Sequence, residues 1–186
     1  MEQPTHFVKA SYQPTGIKRY DGNPFIEALP PILSVSQASK SIKGRVEFRL
    51  SDRLADSKSR MHMVISLLDD YFQPLSQHIQ LQEKIDMMLR MGYVGRNISD
   101  GSLNRKLQEG YELIKAKGDV SANFAFEKTT ARSMSLVGIS GSGKTSSLER
   151  VLETYPQVIY HELQNFFQVT YLKIECPSNG DLDSLC

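Results

Sequence analysis

The segment GISGSGKT, residues 138–145, constrains the fold more than any other part of this chain. It fits the pattern G-x-x-x-x-G-K-[ST], whose glycines and lysine surround a phosphate only where a strand turns sharply into a helix. The preceding run, residues 135–139, is short and apolar, as is typical of a buried strand. After the loop, apolar side chains recur at helical spacing until Pro156: Leu148, Val151, Leu152 and Tyr155. The sequence therefore predicts a strand, a glycine loop and a helix in that order.

The residue types of this loop fit the binding of a nucleotide and Mg²⁺. Gly141 and Gly143 allow a tight turn whose N–H groups point at phosphate oxygens, and the N-terminal end of the helix adds positive potential. Lys144 can reach the β- and γ-phosphates, and the Thr145 hydroxyl can ligate Mg²⁺. An ordinary glycine-rich turn would explain neither the lysine nor its context. The predicted phosphate-binding residues are Gly138, Ser140, Gly141, Ser142, Gly143, Lys144, Thr145 and Ser146.

Elsewhere, patterns typical of helices and strands predict an α/β fold. Helical spacing covers residues 74–91 and 102–118, with Ser102 as a candidate N-cap. Strands are predicted at residues 123–127, 158–160 and 169–174. Strands that alternate with helices indicate a three-layer α/β sandwich around a mainly parallel sheet.

Residues 1–60 are predicted to form an N-terminal extension, partly irregular and basic, before a P-loop domain over residues 61–186. The proline-containing segment NPFIEALPPIL is apolar enough to lie against a partner or against the protein's own body; a loosely ordered tail is the alternative. Residues 40–60 hold seven basic and three acidic side chains, a net charge of +4. This basic segment either contacts DNA phosphates or is a solvated linker.

The acidic residues that complete an ATPase site are not evident in this sequence. MVISLLDD, residues 63–70, imitates a Walker B strand but precedes the P-loop, so we interpret Asp69 and Asp70 as a polar break before the next helix. After Thr145, the residue most similar to the acid of a Walker B strand is Glu175. Its alternative role is that of a charged residue at the end of a strand. We therefore expect a chain truncated inside its own fold, assign no catalytic residue, and leave hydrolysis of ATP in doubt.

Composition argues against a membrane or secreted protein. The 186 residues contain no apolar run long enough to cross a bilayer, and the N-terminus has no secretory apolar region. Cys176 and Cys186 lack the spacing of a zinc site. Reduced thiols in a cytoplasmic protein are the simplest interpretation.

Several short segments, taken together, resemble a known family. NPFIEALPP, DDYFQPL, GYVGRN, GSGKT, TYPQVIYH and YLKIEC follow one another along the chain. In this order they resemble the N-terminal part of TnsC, the ATP-dependent regulator of a class of bacterial cut-and-paste transposons. The resemblance runs from about Thr15 to the end and lies largely outside the generic P-loop.

The resemblance implies an AAA+ ATPase fold, incomplete at its C-terminus, and a regulator that binds ATP, Mg²⁺ and DNA. Such a regulator joins a target-selecting protein to the transposase and assembles into homo-oligomers. GYVGRN is similar to the segment that flanks the adenine, which makes Tyr93, Val94, Gly95 and Arg96 candidates for a purine pocket. Two alternatives remain: a non-catalytic fragment that binds nucleotide and partners, and another P-loop NTPase or kinase.

Overall fold

The computed structural model describes residues 7–46, 49–99, 101–115 and 132–174. Six α-helices and three short strands lie in these ranges. The helices are α1 (Pro24–Glu27), α2 (Val35–Ile42), α3 (Ser57–Asp70), α4 (Ser76–Tyr93), α5 (Ser102–Lys115) and α6 (Lys144–Leu152). The strands are β1 (Val8–Lys9), β2 (Val158–His161) and β3 (Phe166–Val169), and 3-10 turns occur at Leu50–Leu54 and Glu162–Gln164.

The three strands form one mixed sheet in the order β1-β2-β3. β1 runs parallel to β2, with Val8 opposite Ile159, and β2 runs antiparallel to β3, with Tyr160 opposite Phe167. A short turn joins β2 to β3, and Asn165 closes it in the left-handed region at φ 48°. The prediction of a mainly parallel sheet is therefore wrong for the part of the chain that the structure describes. The combination of helices and a small mixed sheet is compatible with an incomplete α/β fold.

Helix α4 is the centre of the packing, with α1, α2 and α6 against it. Leu81 and Ile85 of this helix are buried in the main core, whereas Leu75, just before the helix, is exposed. That core consists of Ile42, Leu81, Ile85, Val151 and Tyr155, with Phe72, Leu89, Leu148, Leu152 and Tyr171 packed around it. The helices predicted over residues 74–91 and after the P-loop are thus confirmed, and each contributes buried apolar side chains to this core.

The N-terminal segment lies against the protein's own body. Asn23 caps α1 by accepting from the Phe25 N–H at 3.1 Å, and Pro24 occupies the first helical position, where its missing N–H costs nothing. This places Phe25, Ile26 and Leu29 in buried positions. Ser34 and Gln37 form a capping box that starts α2, whose Ile42 enters the main core. The alternative of a loose tail is wrong for this segment, while the domain division at residue 60 stays a prediction.

Several segments differ from the sequence-based predictions. MVISLLDD belongs to α3 and is helical up to Asp70, so it supplies no Walker B strand. The interpretation of Asp69 and Asp70 as a break before the next helix is wrong, because both lie in the last turn of α3. The strand predicted over residues 169–174 is shifted, because β3 ends at Val169. Residues 135–139 pair with no described strand. The strand predicted at residues 123–127, Glu175 and both cysteines lie outside the described residues.

A buried ion pair connects the N-terminal segment to α4. Arg90 is 1% exposed and its Nε lies 2.9 Å from Asp86 Oδ2, one helical turn away. The guanidinium also donates to the backbone carbonyls of Ile26 and Pro30. Asp86 in turn accepts from the Tyr155 hydroxyl at 3.1 Å, just beyond the end of α6. Burial and the Asp86 charge raise the Tyr155 pKa well above its usual value, so the hydroxyl stays protonated and donates.

A second buried network connects the sheet to the same N-terminal segment. Gln168 donates through its amide to the Phe25 carbonyl at 3.0 Å, which turns the amide oxygen toward His161 Nε2 at 2.8 Å. His161 therefore donates from Nε2 and accepts from the Tyr12 hydroxyl at Nδ1, 2.9 Å away. The neutral ring is fully buried, and this burial lowers the pKa of His161 below its ordinary value.

No helix among the described residues is long and apolar enough to cross a membrane.

We expect Asp86→Ala to lower the free energy of unfolding by roughly 3–5 kcal/mol, because it leaves the Arg90 charge buried without its carboxylate. Urea unfolding followed by circular dichroism measures the change. Glu83→Ala is the matched control, since Glu83 is exposed on the same helix. A loss below about 1 kcal/mol for Asp86→Ala, similar to that for Glu83→Ala, would contradict the importance of the pair.

We expect His161 to make the fold sensitive to acid. Because its folded-state pKa lies below the unfolded value of 6.5, the native state favours the neutral ring, and stability falls as pH drops from 6.5 through the folded pKa. Comparing urea unfolding at about pH 7 and about pH 5 should give a larger loss for the wild type than for His161→Gln. His62→Gln, at an exposed histidine, should behave like the wild type. Equal losses of unfolding free energy in all three proteins would exclude a contribution of His161 to the acid sensitivity.

Candidate nucleotide site

The loop of residues 138–143 turns sharply into α6 through two glycines in the left-handed region. Gly141 has φ 78° and Gly143 has φ 75°, conformations that L side chains adopt only with strain. Gly143 occupies the N-cap position of α6, and its carbonyl accepts the first helical bond from the Ser147 N–H at 2.8 Å. The buried Ser147 hydroxyl donates to the same carbonyl at 2.6 Å. The predicted order of glycine loop and helix is thus confirmed.

The Lys144 side chain folds back over the loop. Its Nζ donates to the carbonyl oxygens of Gly138 at 2.9 Å and Ile139 at 2.7 Å. Among the described residues, the ammonium is therefore held above the turn by backbone dipoles and not by a carboxylate. A phosphate oxygen would compete well with these neutral acceptors, because a bond between two charged groups is the stronger one.

The start of α6 offers unbonded N–H groups beside this ammonium. The first three residues of the helix, Lys144, Thr145 and Ser146, have N–H groups that no acceptor takes within the described parts of the chain. They carry the positive end of the helix dipole, which attracts anions. Lysine, free N–H groups and helix dipole together fit a phosphate group at this position.

Close packing inside the loop explains its first glycine. A Cβ at Gly138 would lie 3.1 Å from Ser142 Oγ, which is a tight contact, and 3.6 Å from Lys144 Cδ, which is an ordinary one, so a side chain there would require the Ser142 hydroxyl to move slightly. Thr145 and Ser146 are exposed on the first turn of α6, and Ser140 is exposed in the loop. Because Thr145 directly follows the lysine, its hydroxyl is the one suited to ligate Mg²⁺ bound to a phosphate.

The segment before the loop departs from the predicted buried strand. Val137 is 90% exposed and Ile139 is 82% exposed, and residues 132–139 have no strand assignment. The sequence pattern was that of a strand covered on both faces, but β1, β2 and β3 form a sheet without it. The loop therefore keeps its local geometry without support from a neighbouring strand in the described residues.

The second predicted group, Tyr93 to Arg96, lies at the C-terminal end of α4. Tyr93 donates from its hydroxyl to the Val169 carbonyl at 3.1 Å, and its own carbonyl accepts from the Asn23 side chain at 2.9 Å. Burial raises the pKa of the Tyr93 hydroxyl. Val94 is half-buried, and the chain turns at Gly95, with φ 84°, which leaves Arg96 exposed.

The two predicted groups are attached to one pair of packed helices. α6 begins at the loop, and Tyr155 beyond its far end contacts Gln82 and Asp86 of α4. α4 then leads to Tyr93, which contacts Asn23, Phe25 and Val169 and, within the described ranges, no residue of the loop. A shared pocket for phosphates and purine therefore stays a prediction. The residues that join the helices were not predicted, although the i, i+4 spacing of Asp86 and Arg90 is visible in the sequence.

Comparison with known protein families supports the assignment of the loop. Residues 127–186 match the model of the AAA domain family, a family of P-loop ATPases. The matched segment includes the glycine loop, α6, β2 and β3, and it covers about a third of the chain. An AAA domain thus implies nucleotide binding for this part of the protein. A comparison with curated proteins gives no significant match.

We expect Gly143→Ala to destabilise the protein by about 1–2 kcal/mol, because alanine is strained at φ 75°. Gly110→Ala is the matched control in α5, where a Cβ meets open space and helical alanine is favoured, so it should stabilise by about 0.5–1 kcal/mol. Thermal unfolding of both variants measures the expected loss of stability for Gly143→Ala and the expected gain for Gly110→Ala. Stabilisation by Gly143→Ala would contradict the loop conformation.

Proposed function

We propose that this protein is an ATP-binding regulator of DNA transposition, of the TnsC type, that acts in the cytoplasm. In this proposal it binds ATP and Mg²⁺, contacts DNA, forms homo-oligomers and links a target-selecting protein to the transposase. The observation that carries the nucleotide part is a loop with unbonded N–H groups and a folded-back lysine, inside a segment that matches the AAA domain family. The transposition part rests on the ordered segments that resemble TnsC.

The proposed nucleotide lies between the two candidate groups. Its phosphates contact the loop and the first turn of α6, where Lys144 exchanges a backbone carbonyl for a phosphate oxygen. Thr145 would offer its hydroxyl to Mg²⁺, and the metal would neutralise phosphate charge at the loop. Tyr93, Val94, Gly95 and Arg96 would hold the purine. This arrangement belongs to a three-layer P-loop domain over residues 61–186.

We expect Lys144→Ala to weaken a fluorescent ATP analogue at least about tenfold, because the only ammonium in the loop is lost. Lys84→Ala, at an exposed lysine of α4, is the matched control and should bind like the wild type. Thr145→Ala should remove the part of the affinity that depends on Mg²⁺. Unchanged affinity for Lys144→Ala would refute the nucleotide site.

In the same assay, competition with inorganic triphosphate distinguishes the contribution of the loop from that of residues 93–96. Lys144→Ala should weaken both ATP and triphosphate. Arg96→Ala should weaken ATP alone, because triphosphate has no purine to contact. Equal affinity of Arg96→Ala and wild type for ATP would exclude Arg96 from the purine pocket.

A non-catalytic binding module is the second candidate function. The observation that favours it is the helical state of residues 63–70, which removes the segment most similar to a Walker B strand. Release of phosphate distinguishes the candidates. Steady-state release that Lys144→Ala abolishes supports an ATPase switch, and ATP binding without release supports the binding module.

We expect DNA retention to rise with ATP and to fall with salt, because phosphate contacts release bound counterions. A gel-shift titration of random-sequence duplex measures this with ATP, with ADP and without nucleotide. Lys144→Ala should lose the increase that ATP causes, whereas Lys84→Ala should keep it. Equal DNA retention with ATP, with ADP and without nucleotide would show that DNA binding does not depend on the nucleotide site. This result would contradict the proposed regulator.

A further inference from the structure

A groove along α3 forms a second candidate binding surface, distinct from the nucleotide loop. Its volume is about 440 Å³. We call it the α3 groove and define it by its lining residues: Val46, Asp52, Arg53, Arg60, Met63, Val64, Ser66 and Leu67. Four of these, Arg60, Met63, Val64 and Leu67, follow one face of the helix at i, i+3, i+4 and i+7.

The apolar part of this groove is open to solvent. Val64 is 62% exposed, and Met63 and Leu67 are exposed beside it. Leu50 and Leu54, in the preceding 3-10 turn, and Met61 and Ile65, on the same helix, are exposed as well. Single exposed apolar residues are ordinary, but apolar side chains that line one groove are typical of an interaction surface. The two methionines add side chains that adapt to the shape of a partner.

The lining of the groove carries two arginines, Arg53 and Arg60, and one carboxylate, Asp52, so its net charge is positive. Asp52 accepts from the Arg49 N–H at 2.8 Å, and Asp56 accepts from the Ser59 N–H at 3.2 Å and the Ser59 hydroxyl at 2.5 Å. The bonds from Ser59 lower the pKa of Asp56, so its carboxylate stays charged as the cap of α3. Neither Arg53 nor Arg60 forms an ion pair with an acidic side chain in the described ranges.

We propose that the α3 groove binds an acidic amphipathic helix of a partner protein. The apolar stripe of the partner would cover Met63, Val64 and Leu67, and its flanking carboxylates would pair with Arg53 and Arg60. The 14 residues of α3 span about 21 Å, which is the length of a four-turn helix. The inference concerns a surface outside the nucleotide site and does not depend on ATP binding.

The chemistry of the groove favours a protein helix over nucleic acid. A DNA backbone presents charged phosphates that need water or hydrogen-bond donors, and an apolar floor provides neither. An acidic amphipathic helix removes the exposed apolar surface from water and at the same time brings carboxylates to Arg53 and Arg60. Only the helix satisfies both features of the surface.

The direct test uses the full chain and a labelled peptide probe. The probe is a designed helix of about 14 residues, with leucines at i, i+3, i+4 and i+7 and glutamates beside them. A second peptide replaces each glutamate by lysine. Fluorescence anisotropy should give at least about tenfold tighter binding of the acidic peptide, with an affinity that falls as salt rises. Equal binding of the two peptides would overturn the proposal.

Two sets of variants locate the binding surface. Val64→Asp should weaken the acidic peptide at least about tenfold, because it introduces a charge into the apolar floor. Val35→Asp is the matched control, since Val35 is 69% exposed at the start of α2, and it should bind normally. The double variant Arg53→Glu, Arg60→Glu should prefer the lysine peptide. Circular dichroism melts of each variant test that the fold is retained.

Two results would contradict the assignment. Equal affinity of Val64→Asp and Val35→Asp would exclude the groove as the site. If duplex DNA displaces the peptide, and binding of that DNA depends on the two arginines but not on Val64, the surface binds nucleic acid and the proposal fails.

Discussion

The buried pair of Arg90 and Asp86 is the interaction on which most of the described structure depends. A guanidinium that is 1% exposed loses nearly all its hydration, and only a carboxylate together with well-placed carbonyls can compensate. Asp86 supplies the charge, and the carbonyls of Ile26 and Pro30 accept from the guanidinium. Since Tyr155 donates to the same carboxylate, one polar centre joins the N-terminal segment, α4 and the segment after α6. Displacement of any of the three would leave a buried polar group unsatisfied.

This arrangement connects the nucleotide loop to the remainder of the protein through one helix. The loop itself is exposed and keeps its shape through two left-handed glycines and the contacts of Lys144. α6 is held firmly at its far end, where Val151 and Tyr155 are buried. Phosphate bound at the first turn would therefore act on a helix whose other end contacts α4. The same helix α4 ends at Tyr93, which offers a physical connection between the proposed phosphate and purine contacts.

Two surfaces remain open around this centre, and they differ in kind. The loop is polar and offers N–H groups and an ammonium, which suits an anion. The α3 groove is apolar with a positive edge, which suits an amphipathic acidic helix. The proposed regulator would use the first surface for its nucleotide and the second for a partner protein. The two surfaces are built from different residues, so a substitution in one leaves the residues of the other unchanged.

Local patterns in the sequence were sufficient to predict the glycine loop, α6, α4, and β2, because glycine spacing and apolar periodicity act over a few neighbouring residues. The core position of NPFIEALPPIL was only one of several alternatives. The strand before the loop was wrongly predicted. Both positions depend on burial, and burial depends on residues far away in the chain. MVISLLDD became a helix since Asp56 caps its start, and this local bond outweighed the resemblance to a buried strand. The tertiary structure alone decided that Tyr155 and the carbonyls of Ile26 and Pro30 meet the local pair of Asp86 and Arg90, because a buried charge is stable only where distant segments bring their polar groups together.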